Sequence, residues 1–146
     1  MLDADSLAAL NEALDDEYRA RATYQAVIEA FGPVRPFINI VAAEDRHVQA
    51  LLALFTRFGV YPPPDRWAGN VRAASGVAEA CEEAVRAEVE NDAMYDRLLR
   101  QVQHPDVAAV MRRLQQASRE RHLPAFQRCA GVAGRGGRPR WGRPGK

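Results

Sequence analysis

Halfway along a chain otherwise patterned as helix, residues 60–69 read VYPPPDRWAG. Three consecutive prolines supply no backbone N–H and crowd the preceding turn, so no helix crosses this stretch. The break, from about residue 59 to 75, splits the chain into two parts. Each part must then bury its apolar faces against the other.

Each part reads as a helical hairpin. Residues 5–31 carry Leu7, Leu10, Leu14, Tyr24, Ile28 and Phe31 at helical steps, with Asp3 or Asp5 as N-cap and Gly32-Pro33 as the stop. After Pro36 the pattern resumes with Phe37, Ile40, Val41, Val48, Leu51, Leu54, Phe55 and Phe58, and ends at Gly59. A third helix, capped by Ser75, is expected to bury Cys81, Val85, Tyr95, Leu99 and Val102. His104-Pro105-Asp106 breaks the chain again, His104 exposed in the turn and Asp106 capping a fourth helix. That helix turns Val107, Val110, Met111, Leu114, Ala125 and Phe126 to the core, and Pro124 should bend it. The expected fold class is all-α: a four-helix bundle of two antiparallel hairpins joined by one long crossover.

Composition supports a packed domain, since 47% of the 146 residues are hydrophobic. The start, MLDADSLAAL, shows no basic-then-apolar leader, and no run approaches the roughly 18 apolar residues of a membrane span. Neither a signal peptide nor a membrane partner is therefore expected. Cys81 and Cys129 form no CxxC. They read as small core fillers rather than ligands or a disulfide, which suits a reducing cytoplasm. The net charge of +1 conceals an asymmetry. Residues 131–146, GVAGRGGRPRWGRPGK, hold five basic residues and no acid, leaving 15 basic against 19 acidic residues, a formal −4, in 1–130. The expected organisation is a bundle over 1–130 and a disordered basic tail over 131–146. The tail's arginines and Trp141 offer a weak case for nucleic-acid contact.

The sharper signal is polar. Glu44 lies three after Val41 and seven before Leu51, inside the apolar stripe, and His47 shares that side. Glu17 sits seven after Leu10 and seven before Tyr24, and Glu88 seven after Cys81 and seven before Tyr95. His122 precedes Phe126 by four. Each helix thus interrupts its core face with a metal-competent side chain. The hairpins also echo each other: Glu17 and Glu88 both precede a tyrosine by seven, and His47 aligns with His122. Tyr24 and Tyr95 read as core aromatics. Three carboxylates cannot stay ionised in an apolar interior without counter-charge, each unpaired charge costing several kcal/mol. Glu and His together suit iron, manganese or zinc.

On these residues the chain resembles the ferritin-like superfamily of di-iron carboxylate proteins, and HLPAF (122–126) with the crossover is closest to a prokaryotic ferritin-like domain of unknown function. The superfamily motif is a Glu on two helices and Glu-x-x-His on the other two. Glu17, Glu44, His47, Glu88 and His122 match it. The resemblance implies one or two ions, iron first, and chemistry on oxygen or peroxide of the ferroxidase or peroxidase type. A non-catalytic metal-binding module, or a structural bundle with a degenerate site and a partner-recruiting tail, is the alternative; a homodimer is left open. One position departs from the motif: three before His122 stands Arg119. Turned inward, Arg119 would leave the three glutamates a local charge of −2, which one divalent ion neutralises, so the expectation is one tightly held metal, bound mainly by Glu44, His47 and one or two of Glu17, Glu88 and His122. The rival has Asp92 supplying a fourth carboxylate for a second ion.

Overall fold

In the computed structural model, residues 1–136 are described, with side chains to Gly131. Four helical rods form the molecule: α1 (Ala4–Phe31), α2 (Phe37–Phe58), α3 (Val77–Gln101), and a fourth rod made of α4 (Pro105–Ala117), a π-helical turn (Ser118–His122) and α5 (Leu123–Gly136). No strand occurs among the described residues. α1 packs on α2 and α3, α3 on α5, and α2 on α4. The all-α bundle with a crossover at 59–76 is as expected from the prolines.

The ends of the helices follow local chemistry, with two corrections. Asp3 caps α1, its carboxylate accepting from the Ser6 N–H at 2.9 Å. Gly59 ends α2 at φ 65°, the left-handed conformation that glycine adopts without a Cβ clash. Ser75 does not cap α3: Gly76 stands at the N-cap, and the Ser75 hydroxyl bonds the Glu79 carboxylate instead. Nor does Asp106 cap α4. Pro105 occupies the first turn, where a missing N–H costs nothing, and His104 becomes the cap, Nδ1 accepting from the Asp106 N–H at 3.1 Å. That role leaves His104 half-buried, where an exposed turn residue was expected; its ring packs edge-on against Phe58.

The crossover is pinned to α1. Arg66 grips the Asp15 carboxylate with two bonds of 2.9 Å, and the Trp67 indole N–H adds a third at 3.1 Å. Arg66 also stacks over the Trp67 ring.

Pro124 acts through its missing donor rather than by a simple bend. It cannot bond the carbonyl four residues back, and the turn ahead of it widens, so that the Leu123 N–H reaches the Ser118 carbonyl five residues back. The rod continues through Gly136, beyond the expected bundle boundary at 130. The remaining tail, 137–146, lies outside the described residues, as does the nucleic-acid reading placed on it.

The apolar core falls into two clusters. One holds Leu10, Leu14, Leu51, Phe55, Leu98 and Met111 among others. The other is built around Tyr24, Phe37, Ile40, Cys81 and Phe126. Tyr24, Phe37 and Phe126 form a three-ring cluster of edge-on and tilted contacts with centroids 5.0–5.8 Å apart. Here a further expectation fails. Cys81 and Cys129 form a disulfide across α3 and α5, with Cα atoms 5.8 Å apart. The helices run antiparallel, and the pair stands at equal offsets of seven from Glu88 and His122, hence at one level. Pairing removes the cysteine argument for a reducing compartment. No described helix is long and apolar enough to cross a membrane.

Candidate metal centre

Between the two apolar clusters lies a polar layer. Its members are Glu17 (0% exposed), Glu44 (1%), His47 (7%), Glu88 (2%) and His122 (3%), all five of the residues singled out by helical phase. The long rods bring them together because each sits mid-stripe on a helix whose apolar neighbours face the core.

The five residues form two triads that share one carboxylate. Glu17, Glu44 and His47 make the first; Glu44, Glu88 and His122 make the second. His47 Nδ1 lies 3.4 Å from Glu17 Oε1 and 3.2 Å from Glu44 Oε1. His122 Nδ1 lies 3.4 Å from Glu44 Oε2 and 3.7 Å from Glu88 Oε1. Glu44 therefore sends one oxygen to each triad. The two imidazoles stack with centroids 5.2 Å apart and planes 17° from parallel.

Two tyrosines complete the geometry, and the sequence reading had missed their role. The Tyr95 hydroxyl donates to Glu17 Oε2 and the Tyr24 hydroxyl to Glu88 Oε2, each at 2.6 Å. The bonds cross reciprocally between α1 and α3, so the Glu-to-Tyr spacing of seven in each helix is a two-fold signature. Burial and the adjacent carboxylate charges push both phenols well above their ordinary range, so they remain donors. Asn91 adds a bond of 3.3 Å to Glu17 Oε2 and one of 2.8 Å to Asp16. Burial raises the Asp16 carboxyl to about 6, with the Glu17 charge adding to it and the Asn91 bond opposing.

The outer oxygens of Glu17 and Glu88 are thus satisfied, while the inner atoms are not. Glu17 Oε1, Glu44 Oε1, Glu88 Oε1 and both histidine Nδ1 atoms are buried without a hydrogen-bond partner. Buried polar atoms are otherwise paired in almost every case, and here the unpaired ones converge. Protons partly offset the cost in the protein alone. Burial pulls both imidazoles down, but the facing carboxylates outweigh it and raise His47 to about 10 and His122 to about 9. Burial, with the Glu17 charge, raises Glu44 to about 8. Burial pushes Glu17 up as well, yet His47, Glu44 and Tyr95 together hold it down to about 2. At neutral pH the cluster accordingly carries protons on Glu44 and both histidines, each of which a cation could displace.

Neither charge arrangement expected around Arg119 is found. The π-turn carries Arg119 outward, where it binds Asp92 at 2.9 and 3.2 Å on the surface. It does not neutralise Glu44, and Asp92 is held away from the cluster. Glu120 is exposed and bonded to Gln116. Arg21 also faces out, to Asp45 and Asp65. The residue that does face inward here is Ser118, 1% exposed, its hydroxyl unpaired.

A cleft of about 370 Å³ between α1 and α3 opens onto this layer. Tyr24, Glu44, Glu88 and Asn91 form its inner end, and Arg19, Arg72 and Arg86 stand nearer its mouth with Glu83 and Glu90.

Among solved structures, the chain is similar to hypothetical protein MJ0754 from Methanococcus jannaschii DSM 2661, with 20% identity and a TM-score of 0.77, over 87% of this chain and 80% of that one. It is also similar to the conserved hypothetical protein rv2844 from Mycobacterium tuberculosis, with 18% identity and a TM-score of 0.73, over 88% and 92%. At such identities the likeness speaks for the fold alone. Comparison with protein-family models and with curated proteins gave no match.

Proposed function

We propose that the polar layer is a two-ion carboxylate–histidine centre of the ferritin-like kind, holding iron or manganese, and that the protein is an oxidoreductase acting on oxygen or peroxide. The shared carboxylate carries this reading: Glu44 turns one oxygen to each of two buried Glu/His triads. The fit to a cation is chemical. Five donor atoms from carboxylates and imidazoles converge unpaired in an interior where only cations or protons can balance them.

Glu17, Glu44 and His47 would hold one ion, and Glu44, Glu88 and His122 the other. A redox-active pair would supply the electrons for reducing oxygen or peroxide. The chain's own residues do the rest. Tyr95 and Tyr24 fix the outer oxygens of Glu17 and Glu88, leaving the inner oxygens free to bind. The aromatic cluster and the leucine cluster close the layer on both sides to bulk water. The α1–α3 cleft admits a small molecule to Glu44 and Glu88. Metal analysis of protein purified without chelator tests the reading. Two equivalents per chain are expected, both lost in Glu44→Gln, with turnover that depends on oxygen or peroxide. Protein that carries no metal, and takes up none from ferrous or manganous salt, overturns it; metal without turnover leaves a carrier.

A further inference from the structure

Charge in the centre does not close. Three carboxylates supply −3, and two divalent ions with neutral imidazoles bring +4, leaving +1. No fourth carboxylate is placed to correct this, because Asp92 is tied to Arg119 at the surface and Asp16 is bonded sideways to Asn91. Each triad also offers only two carboxylates and one imidazole, which leaves coordination positions vacant for iron or manganese.

The π-turn decides what fills them. In a turn that closes five residues back, positions four apart fall nearly on one line, so Ser118 faces the same way as His122. Ser118 therefore takes the station that a helical Glu-x-x-His motif gives to its carboxylate, and its side chain is too short to reach an ion. Its hydroxyl is buried and has no partner, an O–H donor waiting for an acceptor. The cleft supplies the route. Its volume of about 370 Å³ leaves ample room for a small anion to pass, and its inner end is Glu44 and Glu88. Arg72 and Arg86, near the mouth, form no ion pair with any described residue.

We propose that the centre takes a small bidentate oxyanion, of the carboxylate or inorganic phosphate type, in place of the fourth carboxylate. The proposal rests on the metal reading above. The anion enters between α1 and α3 past Arg72 and Arg86, passes Glu44 and Glu88 at the inner end, and accepts a bond from the Ser118 hydroxyl, which lies beyond the cleft lining on the fourth rod. It brings the charge to balance and makes the anion, or a substrate carrying such a group, a ligand of this site.

Calorimetric titration of the full chain, loaded with two equivalents of manganese, tests it with acetate in one arm and inorganic phosphate in the other, and chloride as control. Metal content is measured on the same samples. One equivalent of acetate or phosphate should bind the loaded protein and none the stripped protein; the arm that binds names the anion. Ser118→Ala should weaken binding about tenfold, the loss of one charge-assisted hydrogen bond. Ser118→Glu should abolish it while both ions stay bound, because the variant carries its own fourth carboxylate. Protein that holds two ions and takes up neither anion overturns this proposal alone. Undiminished binding in both Ser118 variants overturns the placement. Protein that holds no manganese overturns the metal reading and this proposal with it.

Discussion

The two hairpins do the same job with unequal parts. In α2 an unbroken helix sets Glu44 and His47 three apart, and both reach the layer. In the fourth rod a π-turn sets His122 in the layer together with Ser118, four residues earlier, a buried hydroxyl in place of a second charged side chain. Across the approximate two-fold, Glu17 matches Glu88 and Tyr95 matches Tyr24, down to equal 2.6 Å bonds. The histidine distances do not match: 3.2 and 3.4 Å in the first triad, 3.4 and 3.7 Å in the second. Two-fold repetition thus builds the outer frame, and one widened turn makes the interior asymmetric. The difference teaches that a helical repeat fixes which residues face a core, while backbone hydrogen bonding decides which of them arrive.

The comparison is broken most severely by removing one outer carboxylate at a time. Glu17→Gln and Glu88→Gln should each lower metal content from two equivalents to one, with the ion left by Glu88→Gln the tighter. Loss of both ions from either variant would show that the triads do not act separately.

A smaller effect should appear in the pH dependence of stability. Without metal, His47, His122 and Glu44 bind protons more tightly folded than unfolded, their values raised to about 10, 9 and 8 from 6.5, 6.5 and 4.5. The folded state therefore loses stability as pH rises from about 5 through 10. Glu17, lowered to about 2, acts in the opposite sense only below its ordinary 4.5. With metal the same residues bind as bases, so the melting temperature should rise with pH up to about 6.5, where the unfolded chain sheds its histidine protons, and level off above. Thermal melts of stripped and loaded protein should slope in opposite directions between about pH 5 and 6.5; parallel slopes there would remove these residues from the metal's ligand set.

Smaller again are Tyr24→Phe and Tyr95→Phe. Each removes one hydrogen bond to a carboxylate and should reduce metal affinity about 10- to 100-fold, by similar factors if the two-fold holds. A competition titration with a chelating dye reads the ratio. At the bottom of the scale, Arg119→Ala should leave metal content unchanged, since its partners are Asp92 and Asp96 at the surface. A change in metal content would return Arg119 to the interior.

Much of this was legible before any coordinates. Apolar spacing and three prolines gave the four rods and the crossover, because burying a helical face leaves a period that proline interrupts. The same period located Glu17, Glu44, His47, Glu88 and His122, since a charged side chain in mid-stripe has nowhere else to point. What lay hidden is tertiary or depends on the backbone. Pro124 read as a bend, yet its missing donor widens the turn before it and carries Arg119 outward. The tyrosine bonds join helices more than 60 residues apart, and the repeated spacing of seven was their only trace. The disulfide left a trace too, in the equal offsets of Cys81 and Cys129 from the site on antiparallel helices, visible only once that pairing is known.

The polar layer also governs how the molecule opens. It parts the core into two apolar clusters, one at each end of the bundle, so each end is positioned to behave as its own cooperative unit. Ligands from all four rods meet between them. Neutralising the layer therefore does more than stabilise a site: it welds two short bundles into one. Amide protons at opposite ends, which would otherwise exchange at independent rates, would then exchange together.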